Sequence, residues 1–174
     1  MIAADQLRAQ MMVLLPRLRR FALALTSRPA DADDLVQDTV ERALRNLNQF
    51  VPDTRMDSWM FRIAQNLWID KLRAQKVRAG TVNDLTEAEN LAFDGERAAE
   101  AHSMLAATLR ALEELPQEQR EVVALVLIDG ISYREAAAIL ELPIGTVTSR
   151  LARAREALAA RVLGAGSLAE NALQ

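Results

Sequence analysis

Cysteine is absent and histidine occurs once, at His102, so this chain of 174 residues has no disulfide, no thiolate metal site, no thiol nucleophile and no histidine metal cluster. Proline and glycine are scarce, at five and six residues, and aromatics make up 4%, which leaves few turn formers and few strand formers. No run approaches the roughly 18 consecutive apolar residues of a membrane span. Nor does the chain begin with a basic segment followed by an apolar one, as a signal peptide would. The expectation is a soluble, cytoplasmic protein with no membrane insertion, no cofactor and no metal. What is abundant is Ala and Leu, within a hydrophobic share of 51%, and both favour helix. The fold class is therefore all-α, in one medium domain or two small ones.

A net charge of -3 is unpromising for a protein that binds nucleic acid, because phosphate contacts supply much of that affinity. The distribution of charge resolves the conflict. Arg55, Arg62, Lys71, Arg73, Lys76 and Arg78 form one basic stretch, Arg150, Arg153, Arg155 and Arg161 a second, and acids collect at 31–41 and 84–100. Two basic patches on an acidic body predict two contacts with nucleic acid and a further, cationic partner.

Apolar spacing places the helices. Leu7, Met11, Leu14, Leu18, Phe21 and Leu25 recur at helical intervals, but Pro16 falls among them, which predicts two helices meeting near Leu15. Asp31 is placed to cap the next helix, with Val36, Val40, Ala43, Leu44 and Leu47 on its apolar stripe. A loop over 48–57 carries Phe50, Pro52 and Asp53. Ser58 is then placed to cap a helix reaching about Lys76, with Phe61, Ala64, Trp68 and Leu72 buried. The pattern fades after Ala79 and returns at Met104, Leu105, Leu109 and Leu112; Pro116 opens a further helix that stops at Gly130. The expected division is a first helical domain at 1–78, a flexible interdomain linker at 79–103, a second domain at 104–163 and a frayed tail at 164–174.

The second domain holds the most informative pattern. Ser132 followed by Glu135 is a capping box. Ala136, Ala137 and Ala138 leave room for a crossing helix, and Pro143 sits where a helix can begin again. Val147, Leu151, Ala154 and Leu158 then face inward at i, i+4, i+7 and i+11, which turns Ser149, Ala152 and Arg153 outward, with Thr146 on the rim and Arg150 and Arg155 flanking. A small, polar and basic outward face suits the base edges of a major groove, and flanking arginines suit phosphates. Gly145 and the first-turn amides add an anion contact at the positive end of the helix. The competing reading is a helical hairpin whose arginines are only a solvated rim; the cap, the alanines and the basic second helix together favour DNA.

These residues resemble a family, the extracytoplasmic-function (group IV) sigma factors of bacterial RNA polymerase, and the resemblance covers nearly the whole chain. Gly145 to Leu151 followed by Arg153-Ala154-Arg155 resembles the recognition helix that reads the minus-35 element, and Leu115-Pro116 with Gln119 to Val122 resembles the helix before it. Asp33 to Thr39 resembles the polymerase-binding segment, and Trp59 to Asn66 with Asp70, Leu72 and Arg73 resembles the promoter-melting helix.

The resemblance implies an alternative sigma factor, not an enzyme, whose partners are core RNA polymerase, promoter DNA and an anti-sigma protein, with no small-molecule substrate. It assigns minus-35 contacts to Thr146, Thr148, Ser149, Arg150, Ala152, Arg153 and Arg155. Minus-10 contacts fall to Phe50, Asp53, Trp59, Arg62, Asn66, Arg73 and Lys76, with Asn66 and the loop at 50–56 accepting an unstacked base. Polymerase contacts fall to Asp34, Gln37, Asp38 and Glu41. Two local uses stay open. Asp33 and Asp34 also suit a helix N-terminus, and Trp59 serves either the core or base stacking. Glu141 stands where the family commonly has glycine, and Thr148 and Ala152 replace larger or basic side chains. The rival reading is a helix-turn-helix regulator that binds an operator without serving as a sigma subunit. A metal enzyme built on Asp33, Asp34 and Asp38 lacks a nucleophile and a base.

Overall fold

The computed structural model describes residues 4–51, 54–79 and 96–171. They form α1 (Ala4–Thr26), α2 (Pro29–Arg45), a 3-10 turn (Leu47–Gln49), α3 (Met56–Ala79), α4 (Glu96–Glu113), α5 (Gln117–Val123) with a π-helical turn (Ala124–Ile128), α6 (Tyr133–Leu140) and α7 (Ile144–Asn171). Among the described residues every regular element is helical. The all-α class follows from the Ala- and Leu-rich composition.

Helices α1, α2 and α3 pack together as a first module. Its core is Met11, Leu18, Phe21, Leu25, Leu35, Met60 and Phe61, with the Phe21 and Phe61 rings 5.1 Å apart. Pro16 does not divide α1, which runs unbroken through it. A proline removes one amide bond and crowds the carbonyl four residues back. Here that earlier residue is Met12, on the exposed side of α1, where water can serve the released carbonyl, while the stripe on the other side stays continuous. Helix α1 ends at Ser27, a non-glycine residue at φ 59°, whose N–H donates to Leu23 O at 2.8 Å.

Two caps differ from expectation. Helix α2 begins at Pro29, whose fixed φ suits a first helical position; Asp31 lies in the first turn instead of capping it. Helix α3 begins at Met56, ahead of Ser58, and the Asp57 carboxylate accepts from the Ser58 N–H at 2.8 Å. Along α2 the buried residues are Ala32, Leu35, Thr39 and Ala43, while Leu44 is exposed. The inward stripe is thus rotated from the one drawn through Val36, Val40 and Leu44. Thr39 belongs to it because its hydroxyl donates to Leu35 O at 2.6 Å, which satisfies the polar atom inside the core.

Helices α5, α6 and α7, joined by the end of α4, form the second module around Leu115, Val122, Leu125, Ile139, Val147 and Leu151. Helix α4 begins at Glu96, inside the stretch expected to be linker, and α7 continues to Asn171, through most of the expected tail. Alanine and leucine recur in both stretches, and their helix propensity outweighs the polar residues in the first and Gly164 and Gly166 in the second. The π turn after α5 has no counterpart in the sequence reading. Its closing bond runs from Asp129 N to Ala124 O at 3.1 Å; Gly130 at φ 71° then reverses the chain, and Ile131 N donates back to Leu125 O at 2.9 Å.

Candidate nucleic-acid and polymerase interfaces

The helix-turn-helix is built as its residues dictate. The Ser132 hydroxyl accepts from the Glu135 N–H at 3.3 Å, and the Glu135 carboxylate accepts from the Ser132 N–H at 3.3 Å and the hydroxyl at 2.8 Å. Those Ser132 bonds, with Arg55 beside them, hold the Glu135 carboxyl below its ordinary range. Helix α6 ends on Glu141 in the left-handed region, φ 54° and ψ 43°, the conformation glycine would adopt without strain. Helix α7 starts at once, with Thr146 N and Val147 N donating to Pro143 O at 2.9 and 3.2 Å.

On α7, Val147, Leu151 and Ala154 are fully buried, and Thr148, Ser149, Ala152, Arg153 and Arg155 are exposed. Thr146 is half-buried at the rim. The Thr148 and Ser149 hydroxyls donate back to Ile144 O and Thr146 O, both at 3.0 Å, so each keeps lone pairs for another group. Arg150 is half-buried and bonded to Glu118 at 2.9 Å, and Arg161 is bonded to Glu114 at 2.5 Å, which makes both part of the module's own framework.

On α3, Arg62, Asn66, Arg73 and Lys76 are exposed together on the side away from Phe61, Ala64 and Trp68. Phe50 is buried, its ring edge-on to Trp59 with centroids 5.4 Å apart, and Trp59 is half-buried. Asp53 lies outside the described residues. Beside Trp59 a cavity of about 240 Å³ opens between α3, the end of α2 and the 3-10 turn, lined by Arg42, Asn46, Gln49, Trp59, Asn66 and Asp70 among others. The sequence reading did not single out Arg42, Asn46 and Gln49. Their spacing of i, i+4 and i+7, one polar line at the end of a helix, was the signal available for it.

On α2, Asp34, Gln37 and Glu41 are exposed and Asp38 is half-buried. Gln37 bonds Glu41 at 3.3 Å, Glu41 pairs with Arg45 at 3.1 Å, and Asp38 pairs with Lys71 at 2.9 Å. Asp33 belongs elsewhere: Arg19 donates to it at 2.7 Å and lowers its pKa. Asp33, Asp38 and Glu41 therefore diverge to separate cations. Among the described residues no group of His, Cys, Asp and Glu converges as metal ligands would, and no helix is long and apolar enough to cross a membrane.

The modules meet across a cluster of ions. Arg17 grips Asp129 with Nη2 at 2.7 Å and Nε at 3.3 Å, and gives Nη1 to Asp57 at 3.0 Å. The bond to Asp129 raises the Arg17 pKa against the effect of burial. Arg55 chelates Asp57 at 2.6 and 3.0 Å and pairs with Glu135. Burial alone would push the Asp57 carboxyl up, but bonds from Arg55, the Ser58 N–H and Arg17 outweigh it and bring the pKa down to about 2. Arg120 donates to Leu25 O at 2.9 Å, and Arg62 to Ala138 O at 2.6 Å.

Two helical modules, one ending in an open, basic recognition helix, define a DNA-binding transcription protein of two parts. The Sigma-70 region 2 family model matches residues 11–78, and the Sigma-70, region 4 model matches residues 105–158. The ECF RNA polymerase sigma factor EcfG of Rhodopseudomonas palustris is 38% identical over 156 residues, covering 90% of this chain and 84% of that protein. The ECF RNA polymerase sigma-E factor of Escherichia coli K12 is 37% identical over 158 residues, covering 84% and 83%. Among solved structures, the sigma factor RpoE in complex with the anti-sigma factor NepR from Bartonella quintana matches with a TM-score of 0.70 at 30% identity, over 87% of this chain and 92% of that one. CnrH in complex with the cytosolic domain of CnrY matches with a TM-score of 0.69 at 28% identity, over 94% and 91%.

The chain belongs to the extracytoplasmic-function sigma factors of RNA polymerase. It is an alternative sigma factor that binds core polymerase and promoter DNA and directs transcription initiation. A plain operator-binding regulator is disfavoured, since it would use α5 to α7 and leave the region 2 match over 11–78 without a task.

Proposed function

We propose that initiation is divided between the modules as follows. Residues 1–78 dock on core polymerase and open the minus-10 region, 79–103 connect, 104–163 grip the minus-35 duplex, and 164–174 trail behind it. The observation that carries this division is the α7 surface, where Ser149, Ala152, Arg153 and Arg155 stand exposed opposite a fully buried Val147, Leu151 and Ala154. Arg153 takes a base edge and Arg155 a phosphate. Ser149, Thr148 and Thr146 add hydroxyl contacts, Ala152 an apolar one, and Arg150 aligns the helix through Glu118.

On α3, Arg62, Arg73 and Lys76 follow the backbone of the melted strand. The cavity beside Trp59 receives one unstacked base, read by Asn66 on α3, by Arg42 on α2 and by Asn46, which caps α2. Such a pocket offsets the few kcal/mol that extrusion costs, which ties melting to sequence. Phe50 acts through Trp59, whose ring it supports; Asp53 is assigned to the same loop. On α2, Asp34, Gln37, Asp38 and Glu41 meet a basic surface of the polymerase, where Asp38 exchanges Lys71 for the partner's cation.

The chain makes and breaks no bond itself, works in the cytoplasm where polymerase and chromosome are, and takes its regulation from an anti-sigma protein. Supporting the last point, one similar structure is a sigma factor in complex with an anti-sigma factor. Run-off transcription tests the reading: core polymerase on a template carrying a start site mapped after induced expression should yield a specific product only with this protein present. No product at any protein concentration, from polymerase that responds to another sigma factor, would overturn it.

A further inference from the structure

The division of labour above leaves Gly145 without a task. It is the second residue of α7 and is exposed. A fold requires glycine where the backbone takes a positive φ, as Gly130 does at 71°, or where neighbouring atoms leave no room for a Cβ. Neither applies to Gly145. Its backbone is helical, and a Cβ placed on it would meet no other part of the fold within 4 Å. Glycine is also a poorer helix former than alanine. The fold gains nothing from glycine at this place, so what the bare Cα provides is room for something outside the chain.

The side that it opens is the one turned to DNA. At about 100° per residue, Gly145, Ser149 and Ala152 fall within about 60° of one another. All three are exposed, opposite the buried Val147, Leu151 and Ala154. Their side chains are a hydrogen, a hydroxymethyl and a methyl. The line they make is about 10 Å long, or about three base steps of 3.4 Å. A helix with its side chains is about 10 to 12 Å across and the major groove is about 12 Å wide, so bulk on this line decides how far the helix sinks. Depth matters because the groups that read bases are short. The Thr148 and Ser149 hydroxyls and the Ala152 methyl end at Cβ or one atom beyond it, and they touch a base edge only if the backbone comes close. Arg153 and Arg155 reach several ångströms further and tolerate a shift. The next residue on the line, Glu156, is exposed about 16 Å beyond Gly145. Phosphates repel its carboxylate, which confines the groove-facing stretch to the first turns of α7.

We propose that Gly145 is a positioning residue for minus-35 recognition: lacking a Cβ, it lets α7 sink far enough for Thr148, Ser149 and Ala152 to reach base edges. The proposal rests on the division of labour above, in which α7 grips the minus-35 duplex. A methyl group at 145 holds the helix off by about one C–C bond, roughly 1.5 Å. The short contacts that carry sequence preference are then lost, whereas arginine contacts with phosphates, which carry affinity for any sequence, persist.

The test uses the full chain bound to core polymerase, with two duplexes competing for it. One carries a promoter mapped after induced expression, and the other is the same promoter with its minus-35 element scrambled. Wild type should prefer the first. Gly145→Ala should reduce that preference roughly tenfold, with the salt dependence of binding unchanged because the phosphate contacts remain. Its Tm should equal that of wild type or exceed it by up to about 3 °C. Gly145→Leu, bulkier and still a good helix former, should reduce the preference at least as far. Variants that keep the wild-type preference overturn the proposal. So does a variant that loses Tm or helical circular dichroism together with preference, because the glycine then serves the fold. Wild type that does not distinguish the two duplexes would instead bring down the division of labour, and this proposal with it.

Discussion

Helices α3 and α7 both present cationic side chains opposite a buried stripe, yet they meet their surroundings differently. On α7 the outward residues Ser149, Ala152, Arg153 and Arg155 face solvent, because the module it belongs to consumes only its inner side. On α3 the polar side begins at Arg62, which stays exposed while donating one N–H to Ala138 O on α6 of the other module. An amphipathic stripe fixes which side of a helix is outward within its own module. Whether that side is then available depends on what the rest of the chain places against it.

Five experiments break or sharpen that contrast, beginning with the largest effect. Leu151 is 1% exposed at the centre of the second module's core, so Leu151→Ala should cost about 2 to 5 kcal/mol of stability by denaturant unfolding. Duplex binding should fall with it, while core-polymerase association by the first module survives; equal loss of both would erase the distinction between modules. Arg153→Ala, on an exposed side chain, should weaken cognate duplex binding by about 1 to 3 kcal/mol and relax preference at one base. If all sequences weaken equally, Arg153 contacts backbone instead.

The acid response of Asp57 comes next. Its pKa near 2 is below the ordinary aspartate value, so the unfolded chain binds the proton more readily, and the stabilisation is fully present above about pH 4 and is lost as pH falls through 2. The gap in stability between wild type and Asp57→Asn should therefore shrink by about 2 kcal/mol between pH 5 and pH 2. A gap that stays constant would mean that the Arg17 and Arg55 bonds add nothing to the charged form.

Asp38→Arg should weaken core-polymerase association roughly tenfold, about 1.4 kcal/mol, with duplex binding through α7 unchanged. Loss of duplex binding as well would show damage beyond α2. The smallest effect is expected at Glu141. Glycine there relieves a left-handed residue, and the exposed pair with Arg62 at 3.7 Å contributes little, so Glu141→Gly should raise stability by about 1 kcal/mol. A loss on thermal unfolding would mean that this pair outweighs the strain.

Local chemistry was the legible part. The Ser132 and Glu135 box, the Val147, Leu151 and Ala154 stripe, and the exposure of Arg62, Asn66, Arg73 and Lys76 all follow from spacing along one helix. Features set by distant partners were not legible. Pro16 reads as a break because its local cost is plain, whereas the packing of Leu18, Phe21 and Leu25 that outweighs it lies on other helices. The Ala124–Ile128 π turn has no sequence period to announce it, and Asp129 finds Arg17 across 112 residues. The cavity beside Trp59 was half visible: Asn66 was read from α3, but its walls at Arg42, Asn46 and Gln49 come from the last turn of α2, its cap and the 3-10 turn after it.

A permanganate footprint tests the central claim most directly, on a template bearing a start site mapped in the cell, with core polymerase and this protein together. Two modules acting on one promoter predict protection over the minus-35 duplex and reactive, unpaired thymines around minus-10 in the same complex, neither appearing with core polymerase alone. Protection at minus-35 with no reactive thymines, under conditions where another sigma factor opens its own promoter, would contradict it.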